Sequence, residues 1–248
     1  MPVSYPTKIV LAFRSGGVCA FPDCGKSLAY AASKGATVPV GEAAHIYGEK
    51  PGAPRYNSAM TDQQRDGIEN LLYVCPTHHT IIDKAAAHWP IDKLLTLKGA
   101  HEDKVRSAIE DAFANIAFPE LANAIAWLTT DPIMSDGDFK LVPPGEKIRK
   151  NSLSAGSRNI ILAGLTARPT VAAFVESQAQ LDENFPDRLR SRFLSEYLKL
   201  RHEMGLSGDV LFETMCSFAQ TGAKNTAEKT AGLAVLVYLF EICDIFEK

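Results

Sequence analysis

The sequence predicts an α+β N-terminal domain built on a structural zinc site, followed by a mostly α-helical C-terminal domain. Three observations lead to this prediction: two cysteines at a turn, a cysteine–histidine cluster at a predicted helix start, and helical apolar periodicity after residue 157. We divide the chain into a first domain (residues 1–118), a connecting segment (119–157) and a helical domain (158–248). Asp-Pro, Asp-Gly and Pro-Pro-Gly punctuate the connecting segment, which is typical of a boundary.

Composition narrows the class of protein. The 248 residues are 46% hydrophobic and 22% charged, as in ordinary soluble globular proteins. The longest apolar run, residues 231–240, is too short to span a bilayer, and the first residues do not have the pattern of a secretory signal. We therefore predict a cytoplasmic protein with no membrane partner. Five cysteines, an odd number, argue against a disulfide framework, and Cys216 and Cys243 are predicted to be buried free thiols.

The charge is not that of a general nucleic-acid binder, since the formal net charge is −3. Residues 1–110 contain 12 Lys and Arg against 11 Asp and Glu, and the remainder contains 14 against 18. Any basic footprint for nucleic acid is therefore local, although a bound cation can supply positive charge that side chains do not.

Four residues have the spacing of zinc ligands. Cys19 and Cys24 flank a proline and precede a glycine, which predicts a tight knuckle presenting both thiolates to one ion. Cys75 and His78 lie at a predicted helix start, where Pro76 suits the first helical position. Together they would form a closed Cys3His tetrahedron that binds structural Zn²⁺. The alternative is a set of separate buried thiols.

The order of predicted elements around this cluster is strand, long loop, strand and helix. Residues 38–47, with Gly41 and Gly48 as bounds, predict a short strand of β-branched and aromatic residues, and the apolar run 71–75 predicts the second strand. The helix begins at Pro76, so His79 and Asp83, four residues apart, share one of its faces.

The remaining periodic segments are predicted to be helices. Residues 92–113 have helical apolar spacing with a weak point at Gly99, and Asn225 with Glu228 resembles a capping box. The other predicted helices cover residues 121–128, 171–181, 189–204, 209–220 and 225–246.

Three strings in the first domain carry a family resemblance: Glu42-Ala-Ala-His45-Ile, Glu69-Asn70-Leu-Leu, and Cys75-Pro-Thr-His78-His79-Thr-Ile-Ile-Asp83. Over about residues 12–85 the chain resembles the HNH (ββα-metal) endonucleases, and most of all their bacterial antiphage and restriction-type branch. The resemblance implies an HNH nuclease domain that hydrolyses phosphodiester bonds of double-stranded DNA, and an effector role in bacterial defence.

The resemblance also implies a role for each matching residue. His45 would be the general base that activates water, since an unperturbed imidazole titrates near neutral pH; the alternative is a core histidine. Asn70 would hold the long loop that orients the base, or would be a plain turn asparagine. His79 would bind a catalytic Mg²⁺ or Mn²⁺ ion. Asp83 would be a second ligand of that ion, or an exposed helix carboxylate.

One position departs from the family pattern. Many members have a metal-binding Asp or His immediately before the base, where this chain has Ala44; Glu42, on the same strand face, is a candidate replacement. This departure keeps an alternative open: a non-catalytic, zinc-stabilised module that binds nucleic acid or protein. Lys50, Arg55 and Arg65 are candidates for phosphate contacts or are ordinary surface charges.

The second domain carries a fainter resemblance. Ile148-Arg-Lys-Asn-Ser-Leu-Ser, Gly208-Asp-Val-Leu-Phe212 and Tyr238-Leu-Phe-Glu-Ile-Cys-Asp-Ile-Phe246 are similar to the helical C-terminal domain of bacterial ABC-three-component systems. That family implies docking onto protein partners of a multi-component defence system, including an ATPase. The alternative is a helical packing or oligomerisation domain, in which case the partner is a second copy of the chain.

Overall fold

The computed structural model of the chain describes residues 3–31, 37–126, 143–243 and 245–246. Among these residues the protein is mainly helical, with four short strands. By its internal contacts the chain divides into two compact units, Met1–Arg106 and Ser107–Lys248, and each is described by itself.

The first unit contains all of the described strands. They form two antiparallel pairs, in which the first strand pairs with the second and the third with the fourth. The strands are β1 (Ala29–Ala31), β2 (Thr37–Pro39), β3 (Glu42–His45) and β4 (Leu71–Val74). The helices that begin in this unit are α1 (Tyr5–Arg14), α2 (Asp62–Arg65), α3 (Pro76–Lys84) and α4 (Ile91–Phe113).

The core of the first unit lies around β4. All four residues of Leu71–Val74 are buried, which explains why this strand is continuously apolar instead of alternating. Ile46, just after β3, and Ile82 of α3 are fully buried in the same cluster. The predicted second strand and the helix beginning at Pro76 are therefore both present, with Cys75 as the N-cap residue between them.

The strand predicted within residues 38–47, with Gly41 and Gly48 as bounds, is present as β3, but it ends at His45, and the residues before Gly41 belong to a separate strand. β2 ends at Pro39 and pairs with β1, whereas β3 pairs with β4. The chain changes partner at Gly41, where a Cβ atom would lie 2.2 Å from the ring of Tyr73. Only glycine allows the backbone to pass this close to the aromatic ring, so the strand breaks at this residue.

The helix predicted over residues 92–113 is present as α4, and it is continuous across Gly99, the predicted weak point. A Cβ atom at Gly99 would meet nothing within 4 Å, so this glycine makes room for no neighbour. A glycine in a helix costs about 1 kcal/mol relative to alanine, which a helix of 23 residues tolerates.

The second unit is helical throughout its described residues. Its helices are α5 (Phe118–Ile125), α6 (Pro144–Lys150), α7 (Ala155–Gly164), α8 (Arg168–Ala179), α9 (Phe185–Leu198), α10 (Gly208–Ala219) and α11 (Thr226–Ile242). The predicted connecting segment therefore contains α5, α6 and the start of α7, while its residues 127–142, which include the end of the predicted helix 121–128, lie outside the described residues. The domain limits 1–118, 119–157 and 158–248 stay a prediction.

Helix α11 is the centre of the second unit and packs against α5, α7, α8 and α10. Half of the predicted capping box is present at its N-terminus: the Glu228 N–H donates to Asn225 Oδ1 at 2.9 Å, whereas Glu228 Oε2 accepts from the Lys224 N–H and not from that of Asn225. A Cβ atom at Gly232 would lie 2.0 Å from the Ala219 carbonyl oxygen, so glycine permits the close approach of α10. Cys216 and Cys243 are fully buried, as the sequence predicts.

One helical stretch, Ala155–Ala179, has the length and mean hydropathy (1.3) of a segment that can cross a membrane. A core helix of a globular protein meets the same criteria, so one such stretch is weak evidence for a membrane span. Ile161 and Val171 of this stretch are fully buried in the protein.

A buried lysine joins α6 to the C-terminal end of α11. Lys147 is fully buried, and its Nζ donates to the carbonyl oxygens of Phe240 (2.7 Å), Ile245 (3.0 Å) and Cys243. These contacts satisfy carbonyl groups that a helix end leaves without intrahelical partners, and they place a positive charge at the negative end of the helix dipole.

We predict that Lys147→Met lowers the free energy of unfolding of the second unit by about 2–4 kcal/mol, because it leaves buried carbonyl groups without a donor. Urea unfolding followed by far-ultraviolet circular dichroism measures the change. Lys150→Met is the matched control, because Lys150 is on the same helix and its side chain and that of its partner Glu146 are 40% and 41% exposed. This variant is expected to change the free energy of unfolding by no more than about 0.5 kcal/mol. Equal losses in the two variants would contradict the capping role.

Candidate metal centre and histidine pocket

Three cysteines and one histidine form a cluster that could bind a metal such as zinc. The four ligand atoms of Cys19, Cys24, Cys75 and His78 all lie within 4.8 Å of one another. His78 Nδ1 is 3.2 Å from Cys75 Sγ and 3.5 Å from Cys19 Sγ. Zinc bonds of about 2.3 Å to sulfur and about 2.1 Å to nitrogen separate tetrahedral ligand atoms by about 3.5–3.8 Å, so these atoms nearly match one ion.

The knuckle that carries the first two cysteines is a short turn closed by main-chain hydrogen bonds. The Cys19 N–H donates to the Lys26 carbonyl at 2.9 Å, and the Cys24 N–H donates to the Phe21 carbonyl at 3.2 Å. Asp23 and Gly25 both have φ of 58°, a left-handed conformation that aspartate tolerates and glycine adopts freely. These residues explain why the chain turns between and after the two thiols.

The other two ligands come from the start of α3. Cys75 is the N-cap residue and Pro76 occupies the first turn, as the sequence predicts. The Cys75 N–H donates to Cys19 Sγ at 3.3 Å, which joins the helix start to the knuckle. Phe21 stacks on the His78 ring with centroids 3.8 Å apart and an angle of 4° between planes, so the imidazole is held in one orientation.

Sequence reasoning missed Phe21. The feature of the sequence that could have identified it is an aromatic residue between Cys19 and Cys24, where the ring can cover a ligand of the same site.

Burial and hydrogen bonding shift the pKa values of three of these ligands in different directions. Burial raises the pKa of Cys19 to about 11. Burial alone would also raise the pKa of Cys75, but hydrogen bonds from the His78 N–H and from neighbouring thiols lower it overall. Burial, together with the charge of Lys26, lowers the pKa of His78, so its imidazole is neutral near pH 7, as a ligand must be. Metal binding at this cluster would therefore release protons from its thiols.

A second group of predicted residues lines an open pocket of about 300 Å³ in the same unit. Its lining includes His45 from the end of β3, and His79 and Asp83 from α3. His78 and His79 are adjacent in the chain, yet one ring contacts the thiols and the other contacts the carboxylate of Glu42. Successive residues on a helix point in directions about 100° apart, so two neighbouring histidines can serve two sites.

The ring of His79 lies between two carboxylates. Its Nδ1 is 2.7 Å from Glu42 Oε2, and its Nε2 is 3.4 Å from Asp83 Oδ2. When the Nδ1–H donates to Glu42, the Nε2 lone pair faces the Asp83 oxygen, and a cation shared by these two atoms would relieve their repulsion. Ala44, the position before His45, is buried in the core. Glu42 contacts Nδ1 of His79, whereas Asp83 faces the other ring nitrogen, Nε2.

The histidine at the end of β3 is paired with an aspartate. His45 Nε2 is 3.1 Å from Asp66 Oδ1, and the two side chains are 14% and 20% exposed. When Nε2–H donates to the carboxylate, Nδ1 is the nitrogen that can accept a proton. Sequence reasoning missed Asp66, because nothing in the polar segment between the strands distinguishes it from its neighbours.

Asn70 is buried at the start of β4 and joins it to the chain that follows β3. Its Oδ1 accepts from the Tyr47 N–H at 2.8 Å, and its Nδ2 donates to the carbonyls of Tyr47 (3.0 Å) and Arg65 (2.8 Å). Both amide protons are used within the protein. The side chain can therefore hold the loop, and it has no donor left for a bound molecule.

The side chains of Arg55, in the long loop, and of Arg65, the last residue of α2, are buried. The side chains of Arg55 and Arg65 are 6% and 5% exposed, and both donate to main-chain carbonyl oxygens. The sequence suggests that these arginines contact phosphate or are surface charges, and side chains this deeply buried fit neither role. Lys50 is 75% exposed at the pocket, so it stays available for a phosphate contact.

The structure thus brings the predicted site residues together in two places. The metal-compatible cluster contains Cys19, Cys24, Cys75 and His78, and the pocket contains His45, His79 and Asp83, with Asn70 securing the chain beside it. No protein-family model matches the chain, and no curated protein matches it at a significant level.

We predict that the purified protein contains one zinc ion per chain and that Cys24→Ser loses it, because a Cys3His site needs all four ligands for tight binding. Elemental analysis after dialysis measures the zinc. Cys216→Ala is the matched control: it removes a fully buried thiol from the second unit and is expected to retain zinc. Stoichiometric zinc in Cys24→Ser would contradict the proposed ligand set.

Proposed function

We propose that the first unit is a metal-dependent nuclease of the HNH type that hydrolyses phosphodiester bonds of DNA. The observation that carries this proposal is the shared pocket, in which an aspartate-paired histidine lies beside a histidine–aspartate pair able to hold a cation. A general base and a cation site in one open pocket are the two components that phosphodiester hydrolysis needs.

The local fold supports the same proposal. The antiparallel strands β3 and β4 are followed directly by α3, which packs against β3, and this is the element order of a ββα-metal domain. His45 comes from the first strand of this arrangement and His79 from its helix. The histidine–asparagine–histidine strings that suggest the family therefore lie on adjacent elements.

His45 would act as the general base. Its Nδ1 would take a proton from the water that attacks phosphorus, while Asp66 accepts the Nε2–H, fixes the tautomer and stabilises the imidazolium that forms. Asn70 would hold the backbone of Tyr47, two residues after the base, and so would act as a positioning residue. Neither Asp66 nor Asn70 needs to touch the substrate in this scheme.

His79 and Asp83 would hold Mg²⁺ or Mn²⁺, which when bound would stabilise negative charge on the phosphate. Two protein ligands suffice for such an ion, since Mg²⁺ keeps several waters and takes further oxygens from a phosphate. Glu42 would orient His79 by accepting its Nδ1–H, as carboxylates do for metal-binding histidines. Because both ligands lie on α3, alanine at position 44 does not remove this pair.

The second unit would serve docking or self-association in a cytoplasmic defence protein. Its resemblance to the helical domain of ABC-three-component systems favours a protein partner, and exposed apolar side chains such as Leu181 (83%) and Leu162 (46%) are available for contact. Double-stranded DNA is the proposed substrate, and the nearly neutral first unit would bind it locally around the pocket and Lys50.

The competing function is a non-catalytic zinc module that binds nucleic acid or protein. It is favoured by the contacts of His79, whose two ring nitrogens both face carboxylates of the protein. In that case Glu42, His79 and Asp83 would form a structural ion-pair network, and the pocket would have no role in hydrolysis.

We predict that the protein nicks supercoiled plasmid with Mg²⁺ or Mn²⁺ but not with EDTA, and that His45→Ala lowers the rate about 10²–10⁴-fold through loss of the base. Agarose-gel analysis of the plasmid forms over time measures the rate. His88→Ala, which removes an exposed histidine after α3, is the control with expected wild-type activity.

Zinc analysis of both variants distinguishes a chemical effect from unfolding. Equal activity in His45→Ala and the wild type would reject His45 as the base. No metal-dependent cleavage by the zinc-loaded wild-type protein would favour the non-catalytic module.

We predict that Asp66→Ala lowers the cleavage rate about 10–100-fold with unchanged DNA affinity, because the base loses the group that fixes its tautomer. Single-turnover cleavage measures the rate and fluorescence anisotropy measures the affinity. Asp62→Ala removes an 84%-exposed carboxylate from α2, the short helix that ends just before Asp66, and serves as the control. A loss in DNA affinity with an unchanged rate would contradict the orienting role of Asp66.

A further inference from the structure

Arg55 is held in an uncommon conformation in the interior of the first unit. Its φ is 63°, in the left-handed region that only a few per cent of non-glycine residues occupy. Its side chain is 6% exposed, although arginine is rarely buried unless its guanidinium is paired. A buried charge on a strained backbone needs specific partners.

Those partners come from both elements of the proposed nuclease site. On the β3 side, Arg55 Nε donates to the Ile46 carbonyl at 2.8 Å, and Nη2 donates to the His45 carbonyl at 3.3 Å. On the α3 side, Nη1 donates to the Ile82 carbonyl at 2.9 Å, and Nη2 donates to Asp83 Oδ1 at 3.2 Å.

We infer that Arg55 is a positioning residue that sets the His79–Asp83 pair at a fixed distance from His45. This inference rests on the proposed nuclease function. The guanidinium contacts the backbone of the base and the carboxylate of the proposed metal ligand, so one side chain joins both halves of the pocket. Asp83 Oδ1 is held by Arg55 while Oδ2 faces His79 Nε2, which leaves Oδ2 directed at the cation position.

The arrangement requires arginine and not simply a positive charge. The acceptors lie on two elements, and they are reached by three nitrogen atoms spread over a rigid planar fork. A lysine ammonium has a single nitrogen, so it cannot reach acceptors of both elements in the same way.

The loop that carries Arg55 closes on the turn after β3. The Gly48 N–H donates to the Arg55 carbonyl at 3.3 Å, and a Cβ atom at Gly48 would lie 2.4 Å from the Pro54 carbonyl oxygen. Glycine at position 48 therefore permits the close contact that brings the loop, and with it Arg55, back to the pocket.

Arg65 provides a matched control in the same unit. It is 5% exposed, donates to the carbonyls of Asn57 (3.0 Å) and Met60 (2.7 Å), and lies over the ring of Tyr56 at 4.6 Å. Its side chain anchors the loop in a comparable way, but none of these contacts is with His45, His79 or Asp83.

The test compares Arg55→Lys with Arg65→Lys in the full, zinc-loaded chain. Mn²⁺ binding is measured by electron paramagnetic resonance, with His79→Ala assigning the ion to the pocket, and cleavage is measured in single turnover. We predict that Arg55→Lys weakens Mn²⁺ binding about 10–100-fold and slows cleavage even at saturating Mn²⁺, as expected when a ligand loses its orienting partner. Arg65→Lys is expected to lose stability but to keep both properties.

The outcomes separate the two claims. Equal Mn²⁺ affinity and cleavage rate in Arg55→Lys and the wild type would overturn the positioning role while leaving the nuclease in place. A wild-type protein that neither binds Mn²⁺ through His79 nor cleaves DNA would overturn the proposed function and this inference with it. If Arg55→Lys does not fold, Arg55→Gln and Arg65→Gln, which retain amide donors, provide the same comparison.

Discussion

The first unit depends on one constraint at the start of α3, where Cys75 and His78 are tied to the knuckle that carries Cys19 and Cys24. Because His79 follows His78 directly, the cluster that fixes one ring also fixes the helix turn from which the next ring enters the pocket. A metal bound at this cluster would therefore stabilise more than the knuckle. It would hold the proposed nuclease site in register with β3.

Buried polar side chains complete this arrangement by binding main-chain groups. Asn70 and Arg55 both bind main-chain groups just after β3. Asn70 joins these groups to the start of β4, and Arg55 joins them to α3 through the Ile82 carbonyl. Lys147 has the corresponding role at the end of α11 in the second unit. In each case a side chain satisfies backbone groups that regular secondary structure leaves without partners, so the position of a loop or helix end is determined by a few strong contacts.

Much of this local structure could be predicted from the sequence, because its determinants are close together in the chain. The spacing of Cys75, Pro76 and His78 predicts a helix that begins at Pro76 with a ligand in its first turn, and the apolar run before it predicts a strand. Gly41 could be identified as a strand bound, but the close approach of the Tyr73 ring that requires glycine there could not, since Tyr73 lies far along the chain. The contacts of Arg55 are likewise long-range and follow no periodic pattern, so the sequence suggests only a phosphate contact or a surface charge for this residue.

The central claim is that neighbouring histidines serve two different ions, a structural one at the cysteines and a catalytic one in the pocket. Anomalous diffraction from crystals grown with Mn²⁺, recorded at the zinc and manganese absorption edges, tests it directly. We expect zinc bound by Cys19, Cys24, Cys75 and His78, and manganese between His79 Nε2 and the Asp83 carboxylate. Manganese absent from the pocket at saturating concentration, with zinc present at the cysteines, would contradict the catalytic site and support a purely structural zinc module.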